Sequence, residues 1–142
     1  MSEVLGVRVG DRSEMTRKVT TADVQMFTDV SGDTNLLHRD KDYAAKTRFG
    51  EPIAHGMLSA GYISAVLGTK LAPHACVIYL SQTLRFLKPV KIGDEVRVIA
   101  EVKVADEEKR ILTLETNCFN QDGEAVVKGE AVVLLDPFEV GA

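Results

Sequence analysis

The chain has 142 residues, of which 45% are apolar and 27% charged, an ordinary composition for one globular domain. The 17 basic residues against 21 acidic ones give a formal charge of −4, and without an arginine-rich run this argues against a nucleic-acid partner. The charged N-terminal stretch is unlike a signal peptide, and no apolar run is long enough to span a bilayer. We therefore expect a single domain over residues 1–142, located in the cytoplasm.

The two cysteines, Cys76 and Cys118, lie far apart in apolar segments and form no CxxC pattern. A free cysteine in such a segment behaves as a small hydrophobic residue. Free thiols are therefore the favoured interpretation over a disulfide or a zinc site.

The first third of the chain predicts a short strand and two short helices. Residues 15–20 form the strand, and a helix follows because Val24, Phe27 and Val30 recur at helical spacing. Thr20 or Thr21 is the predicted N-cap of this helix, and Gly32 is its predicted C-cap. A loop over 32–38 follows, and then a second short helix that Asp40 caps and that runs through Arg48.

Residues 56–71 predict a long helix with an unusual composition. The segment contains no acidic residue, and Lys70 is its only charge. A helix with apolar or small residues all round is typically a buried one. Gly61, Ala65 and Gly68 fall on one face, where another backbone could approach closely. We expect this helix to be central and hidden on every side.

Four long strands follow the helix, because apolar and polar residues alternate with a period of two. The predicted strands are 76–86, 96–104, 111–119 and 125–135, and Asp122-Gly123 suits a tight hairpin turn. Strands clustered after helices indicate an α+β fold with an antiparallel sheet. A sheet wrapped around the apolar helix is the simplest arrangement that buries it.

Asp33 and His38 are the first candidates for chemistry, because only this histidine lies near an acidic residue outside regular helix or strand. On an ideal helix, a spacing of five residues is a rotation of about 140°, so the two side chains would not share a face. A turn held by the side chain of Asn35 would bring them together. In the alternative, Asp33 is a post-helix turn residue and His38 a helix-entry residue; spacing alone favours this alternative.

The start of the long helix, His55-Gly56-Met57, is the second candidate region. The first amides of a helix lack internal partners and carry the positive end of its dipole. Without a side chain at Gly56, a ligand oxygen could reach that amide, as in an oxyanion hole, although glycines at helix starts are common. We interpret His55 as structural, His74 as a surface residue, and Ser64 as either a packing residue or a pocket-lining one.

Two segments carry a family pattern: Val30-Ser31-Gly32-Asp33-Thr34-Asn35-Leu36-Leu37-His38 with Ala44 beyond it, and Pro52-Ile53-Ala54-His55-Gly56-Met57. The first resembles the hydratase-2 motif of MaoC-like (R)-specific enoyl-CoA hydratases, and the second resembles the segment that opens the central helix of that family. The similarity runs over about residues 15–135. One departure is Leu36, where the family usually has a proline that would stiffen the loop.

The resemblance implies a hot-dog fold and a homodimer whose sheets join edge to edge, with buried tunnels near the subunit interface. It also implies reversible hydration of trans-2-enoyl-CoA to (R)-3-hydroxyacyl-CoA. Asp33 would be the general base, His38 would hold the water and complete the proton transfer, and the Gly56 amide would stabilise the thioester oxygen. Asn35 and Ser64 would line or brace the site. No metal or redox cofactor is needed, since only a proton and hydroxide are transferred.

Three alternatives accompany this prediction. A hot-dog acyl-CoA thioesterase is disfavoured because residues 56–71 contain no carboxylate or amide side chain, and a non-catalytic acyl-binding subunit because Asp33 and His38 are both present. A 3-hydroxyacyl-ACP dehydratase stays open, because the same site could serve acyl carrier protein. Arg85, Lys88 and Lys91 could meet the pantetheine phosphates, although such residues are more often simply solvated.

Overall fold

The computed structural model describes residues 2–137. Its elements are β1 (Glu3–Val4), β2 (Val7–Arg8), β3 (Arg12–Lys18), α1 (Thr21–Ser31), a 3₁₀ turn (Leu36–His38), α2 (Lys41–Ala45), α3 (Gly56–Thr69), β4 (Ala75–Phe86), β5 (Glu95–Asp106), β6 (Ile111–Phe119) and β7 (Ala125–Pro137). The predicted domain limits, 1–142, stay a prediction, because Met1 and residues 138–142 lie outside the described residues.

Five strands form one antiparallel sheet in the order β3-β5-β6-β7-β4. The alternation along β5 turns Val96, Val98 and Ala100 to the inner face, where each is fully buried. The small hairpin of β1 and β2 adds Val4 and Val7 to the same core. One hydrophobic core thus extends from the N-terminal hairpin to the last strand.

The long helix α3 packs on the inner face of this sheet with one side only. Ile63, Val66 and Leu67 are buried in the core. On the other side, Gly61 and Gly68 are exposed, and a Cβ added to either glycine would meet nothing within 4 Å outside the helix itself. The expectations of complete burial and of a close backbone contact are therefore wrong for the single chain, because five strands cover only one side of a helix.

The predicted α+β fold with an antiparallel sheet and a long helix against it is confirmed, and the four long strands lie within two residues of their predicted limits. The first strand begins earlier than predicted, at Arg12, because it pairs with β5 from Glu101 onwards. The helix α2 ends at Ala45, before the predicted Arg48, and the Thr47 hydroxyl donates to the Ala44 carbonyl just beyond its end. The β1–β2 hairpin and the 3₁₀ turn were not predicted.

Local hydrogen bonds fix both ends of α1. The Thr20 hydroxyl accepts from the Asp23 amide while the Asp23 carboxylate accepts from the Thr20 amide, which forms a capping box. At the other end, Gly32 adopts a left-handed φ of 77°, a conformation that favours glycine. This end leads directly into the turn that carries Asp33.

The cysteines and the last histidine lie away from the predicted chemistry. Both cysteines are free; Cys118 is buried, and burial raises the pKa of its thiol to about 12, whereas Cys76 is exposed. Only Cys118 therefore behaves as a core residue. His74 is exposed, as expected, with its Nε2 lying 2.7 Å from the Leu5 carbonyl oxygen. Within residues 2–137, the helices all fall short of the length and apolarity that crossing a membrane requires.

Candidate active site

The turn after α1 presents the Asp33 carboxylate through a chain of local hydrogen bonds. The Ser31 hydroxyl accepts from the Asp33 amide at 3.1 Å, and Asp33 Oδ1 accepts from the Asn35 amide at 3.2 Å. Asn35 Oδ1 in turn accepts from the Leu37 amide at 3.0 Å and caps the 3₁₀ turn. The Asp33 side chain stays 46% exposed, so water can reach it.

His38 ends this turn in a very different environment. It is 8% exposed, and its Nδ1 lies 2.7 Å from the carbonyl oxygen of Ile53. A carbonyl oxygen can only accept a hydrogen bond, so Nδ1 carries the hydrogen. In the neutral imidazole, Nε2 is therefore a free acceptor. The contact with Ile53 thus sets the tautomer that a water-binding base needs.

His55 packs directly against His38, with ring centroids 3.9 Å apart and ring planes inclined by 31°. Its Nε2 lies 3.3 Å from both the Asp33 backbone oxygen and the Thr28 hydroxyl, and 4.0 Å from Asp33 Oδ2. Since the backbone oxygen can only accept, Nε2 carries the hydrogen. Burial, together with the nearby His38, lowers the pKa of His55 against a smaller opposing effect of Asp33, which keeps the ring neutral near pH 7.

Gly56 is the first residue of α3, and its amide belongs to the unpaired first turn of the helix. The His55 side chain makes no capping bond to this end. A Cβ on Gly56 would lie 2.7 Å from Cε1 of Phe86, so the ring packs where a side chain would stand. Glycine therefore lets the aromatic ring and the helix start lie close together.

A cavity of about 730 Å³ adjoins these groups. Its lining includes His38 and Gly56, with mostly apolar neighbours such as Met57, Phe86 and Val127. An apolar cavity with a few polar groups at one place is the usual form of a small-molecule site. The arrangement suits a ligand with an aliphatic part and one polar reacting centre.

The structure brings only some of the predicted site residues close together. Polar atoms of Asp33, His38 and His55 lie within 4.8 Å of one another. Gly56 follows directly in the chain, and Asn35 braces the turn. Ser64 lies apart, on the exposed side of α3 and outside the cavity lining.

Two buried polar residues of the site were not predicted to be functional. Ser59, at 2% exposure, lines the cavity and lies five residues before Ser64, on a different side of α3. His55 was interpreted as structural, and its contacts link it to both acid/base candidates. Its position beside Gly56 was a usable signal, whereas packing on His38 across 17 positions of the chain has no local signature.

Asp33, His38 and His55 also form the kind of nitrogen and oxygen donor set that binds Zn²⁺. The hydrogen on His55 Nε2 points to the Asp33 backbone oxygen, so this nitrogen is not available as a ligand without a change of tautomer. The geometry favours proton transfer over metal binding.

Comparisons with known proteins identify the family of this chain. The MaoC like domain matches residues 8–120. An (R)-specific enoyl-CoA hydratase of Rhodospirillum rubrum is 42% identical over 91% of this chain and 88% of its own length. The (R)-specific enoyl-CoA hydratase of Aeromonas caviae is 44% identical over 91% of this chain and 96% of its own.

The fold agrees as well. The solved structure of the (R)-hydratase from A. caviae involved in PHA biosynthesis superposes with a TM-score of 0.88 at 44% identity, covering 92% of this chain and 98% of that one. The predicted resemblance and the hot-dog fold are both confirmed, and the chain belongs to the family of MaoC-like domains.

Proposed function

We propose that this enzyme is a hydro-lyase that adds water to trans-2-enoyl-CoA and yields (R)-3-hydroxyacyl-CoA, reversibly. One observation carries the proposal: the contact of His38 Nδ1 with the Ile53 carbonyl makes Nε2 the acceptor nitrogen of a ring that lies within 4.8 Å of the Asp33 carboxylate. Two proton acceptors thus converge on one place beside an apolar cavity. The names of the relatives at 42% and 44% identity support the same reaction.

In the proposed mechanism, one water molecule donates hydrogen bonds to Asp33 and to His38 Nε2. Its oxygen attacks C3 of the substrate while the acid/base pair takes up one of its protons. The electrons of the C2–C3 double bond move to the thioester oxygen as an enolate, and the pair then returns a proton to C2. Atoms and charge balance without a redox step or a metal. A positioned acid/base group contributes about 10²–10⁴-fold to such a rate.

The enolate oxygen needs a donor, and we assign this role to the Gly56 amide. The first turn of α3 supplies an unpaired N–H together with the positive end of the helix dipole. One donor of this kind is worth about 2.7–4 kcal/mol in other enzymes. Gly56 lines the cavity, so a ligand there would lie beside this end of the helix.

We propose coenzyme A as the carrier, because both relatives are named for a coenzyme A substrate. Arg48 and Lys88 are the cations among the cavity-lining residues, and Lys88 is ion-paired with Glu124. Equal or higher kcat/KM with crotonyl-ACP than with crotonyl-CoA would instead favour the dehydratase alternative.

We also propose that the protein is a homodimer. Strand β4 is an edge of the sheet and exposes Ile78, Tyr79 and Leu80. The uncovered side of α3, with Gly61 and Ser64, would face a partner, so any role of Ser64 depends on the dimer. Light scattering of the purified protein should give twice the mass of one chain. The predicted cytoplasmic location stays a prediction.

The experiment that tests the function is hydration of crotonyl-CoA, followed by loss of the conjugated thioester absorbance. We expect rapid loss, with (R)-3-hydroxybutyryl-CoA as the product on chiral chromatography. A thiol-reactive dye run in parallel should detect no free coenzyme A, whereas a thioesterase would release it. An (S) product, or inert behaviour with both short and longer enoyl chains, would overturn the proposal.

A further inference from the structure

His55 touches both members of the proposed acid/base pair without lining the cavity. Its ring packs on His38, its Nε2 faces the Asp33 backbone oxygen, and only 3% of the residue is exposed. The cavity lining passes from Ala54 to Gly56 and leaves His55 out. Asp33 is also outside this lining, but its side chain is 46% exposed, so water and substrate can reach Asp33 and His38 and not the buried His55.

We propose that His55 is a positioning residue that holds Asp33 and His38 in one fixed geometry, an inference that rests on the proposed function. Its N–H donates to the carbonyl of Asp33 and fixes the backbone that carries the carboxylate. Its ring face fixes the plane of the His38 imidazole. A single rigid side chain thus sets the distance between two groups that come from one short turn.

Three side chains hold His55 itself in place. Phe27 of α1 lies beside the ring, with centroids 4.8 Å apart, and the Thr28 hydroxyl lies 3.3 Å from Nε2. On the other side, the ring lies against His38. The titratable groups that face His55 are His38 and Asp33, and they act on its pKa in opposite directions. Burial is the largest effect and lowers the pKa, so the ring is neutral. It packs between α1 and the turn that carries Asp33 and His38.

Folding alone does not explain a histidine at this position. Its Nδ1 is buried and has no hydrogen-bond partner among residues 2–137, which disfavours the folded state. An apolar side chain of similar size would avoid this cost. Only a side chain with both a flat face and an N–H donor can make the contacts to His38 and Asp33 together.

The test compares two substitutions at this position in crotonyl-CoA hydration. His55→Leu keeps bulk but loses the donor and the flat face, and we expect kcat to fall by about 100-fold, since small misplacements of reacting groups have effects of that order. KM should change by less than about twofold, because His55 does not line the cavity. His55→Gln restores a neutral donor near the place of Nε2 and should recover about tenfold of the lost kcat.

A control variant separates positioning from loss of stability. Val66→Ala removes buried bulk from the core side of α3, the helix that begins directly after His55. It should therefore lower the melting temperature and leave kcat unchanged. A kcat of His55→Leu within about threefold of wild type would overturn the inference. So would equal kcat values for His55→Leu and His55→Gln.

Imidazole ¹⁵N NMR of the substrate-free protein gives a readout that needs no turnover. At pH 7, His55 should be neutral with its hydrogen on Nε2, and a hydrogen on Nδ1 or a charged ring would overturn the contact to Asp33. A wild type that is inert towards enoyl thioesters would contradict the proposed function instead. Failure of the two proposals is therefore distinguishable.

Discussion

The two halves of the proposed acid/base pair are built in opposite ways. Asp33 is 46% exposed at its side chain, and every hydrogen bond around it comes from residues 31–37 or from His55. His38 is 8% exposed, and its ring is held by Ile53 and His55, which lie far along the chain. The carboxylate is thus positioned mainly locally, and the imidazole by tertiary packing.

Because of this difference, substitutions at the two positions should have different effects on stability, although both should lower activity. A change at the exposed carboxylate removes a reacting group and few contacts. A change at the buried imidazole removes a reacting group and also leaves the Ile53 carbonyl without its donor. A change in the turn between them, 34–37, removes neither reacting group, so it should lower kcat less than a change at Asp33 or His38.

The largest effect is expected for the pair itself. Asp33→Asn should lower kcat by about 10²–10⁴-fold, because an amide cannot accept the proton from water. The melting temperature should stay at its wild-type value, since the substitution is isosteric and the side chain half exposed. Steady-state kinetics and thermal denaturation of the same preparation check both expectations.

His38→Ala should cause a loss of kcat in the same range, together with a loss of stability. Removing a buried side chain and its hydrogen bond to Ile53 costs about 1–3 kcal/mol. Urea denaturation measures this difference. If Asp33→Asn destabilised the protein as much as His38→Ala, the comparison between the two environments would be wrong.

Loss of the hydrogen bond between Asn35 and the Leu37 amide should have an intermediate effect on kcat. Asn35→Ala removes the acceptor for the Leu37 amide, and we expect kcat to fall by about tenfold, below the effect of losing either reacting group. Asn35→Asp, which keeps the oxygen, is the matched control and should retain most activity. Equal losses in both variants would show that the amide group acts in some other way.

A smaller effect concerns the dependence of stability on pH. Burial lowers the pKa of His55 in the folded protein, so the folded state binds fewer protons than the unfolded one. Stability should therefore be constant above the unfolded pKa of about 6.5 and decline as the pH falls below it. Urea denaturation at several pH values should show a shallower decline for His55→Gln. An identical slope in that variant would contradict the assignment.

The smallest effect is expected at the departure from the family motif. Leu36 begins the 3₁₀ turn, and Asn35 before it has a ψ of 124°, which a following proline tolerates. Leu36→Pro should stabilise the protein by about 0.4–1 kcal/mol by restricting the unfolded chain. Chemical denaturation measures this gain, and activity should be unchanged. A loss of activity would mean that the mobility of this turn is needed.

The features of the fold that depend on residues close together in the chain could be predicted from the sequence. The caps at Thr20 and Gly32, the strand periodicity and the Asn35 turn all follow from short-range hydrogen bonding and side-chain alternation. The coverage of α3 could not be predicted in the same way. Its apolar composition indicated burial, but composition does not tell whether the cover comes from the same chain or from a second copy.

The contacts in the site between residues far apart in the chain could not be predicted from the sequence either. The Ile53 carbonyl sets the tautomer of His38 across 15 positions, and His55 reaches Asp33 across 22. Such contacts depend on how two turns meet against the sheet. The family resemblance supplied the pairing of Asp33 with His38, whereas spacing alone favoured a structural role for both.

The most direct test of the proposed acid/base pair is hydration of crotonyl-CoA in D₂O, with the configuration of the product read by NMR. Because a carboxylate oxygen of Asp33 and a ring nitrogen of His38 lie within 4.8 Å of each other, one pair should deliver both the hydroxyl group and the deuterium from the same side of the double bond. We expect a single diastereomer from syn addition. Anti addition, or a mixture of diastereomers, would show that the two groups do not act as one unit.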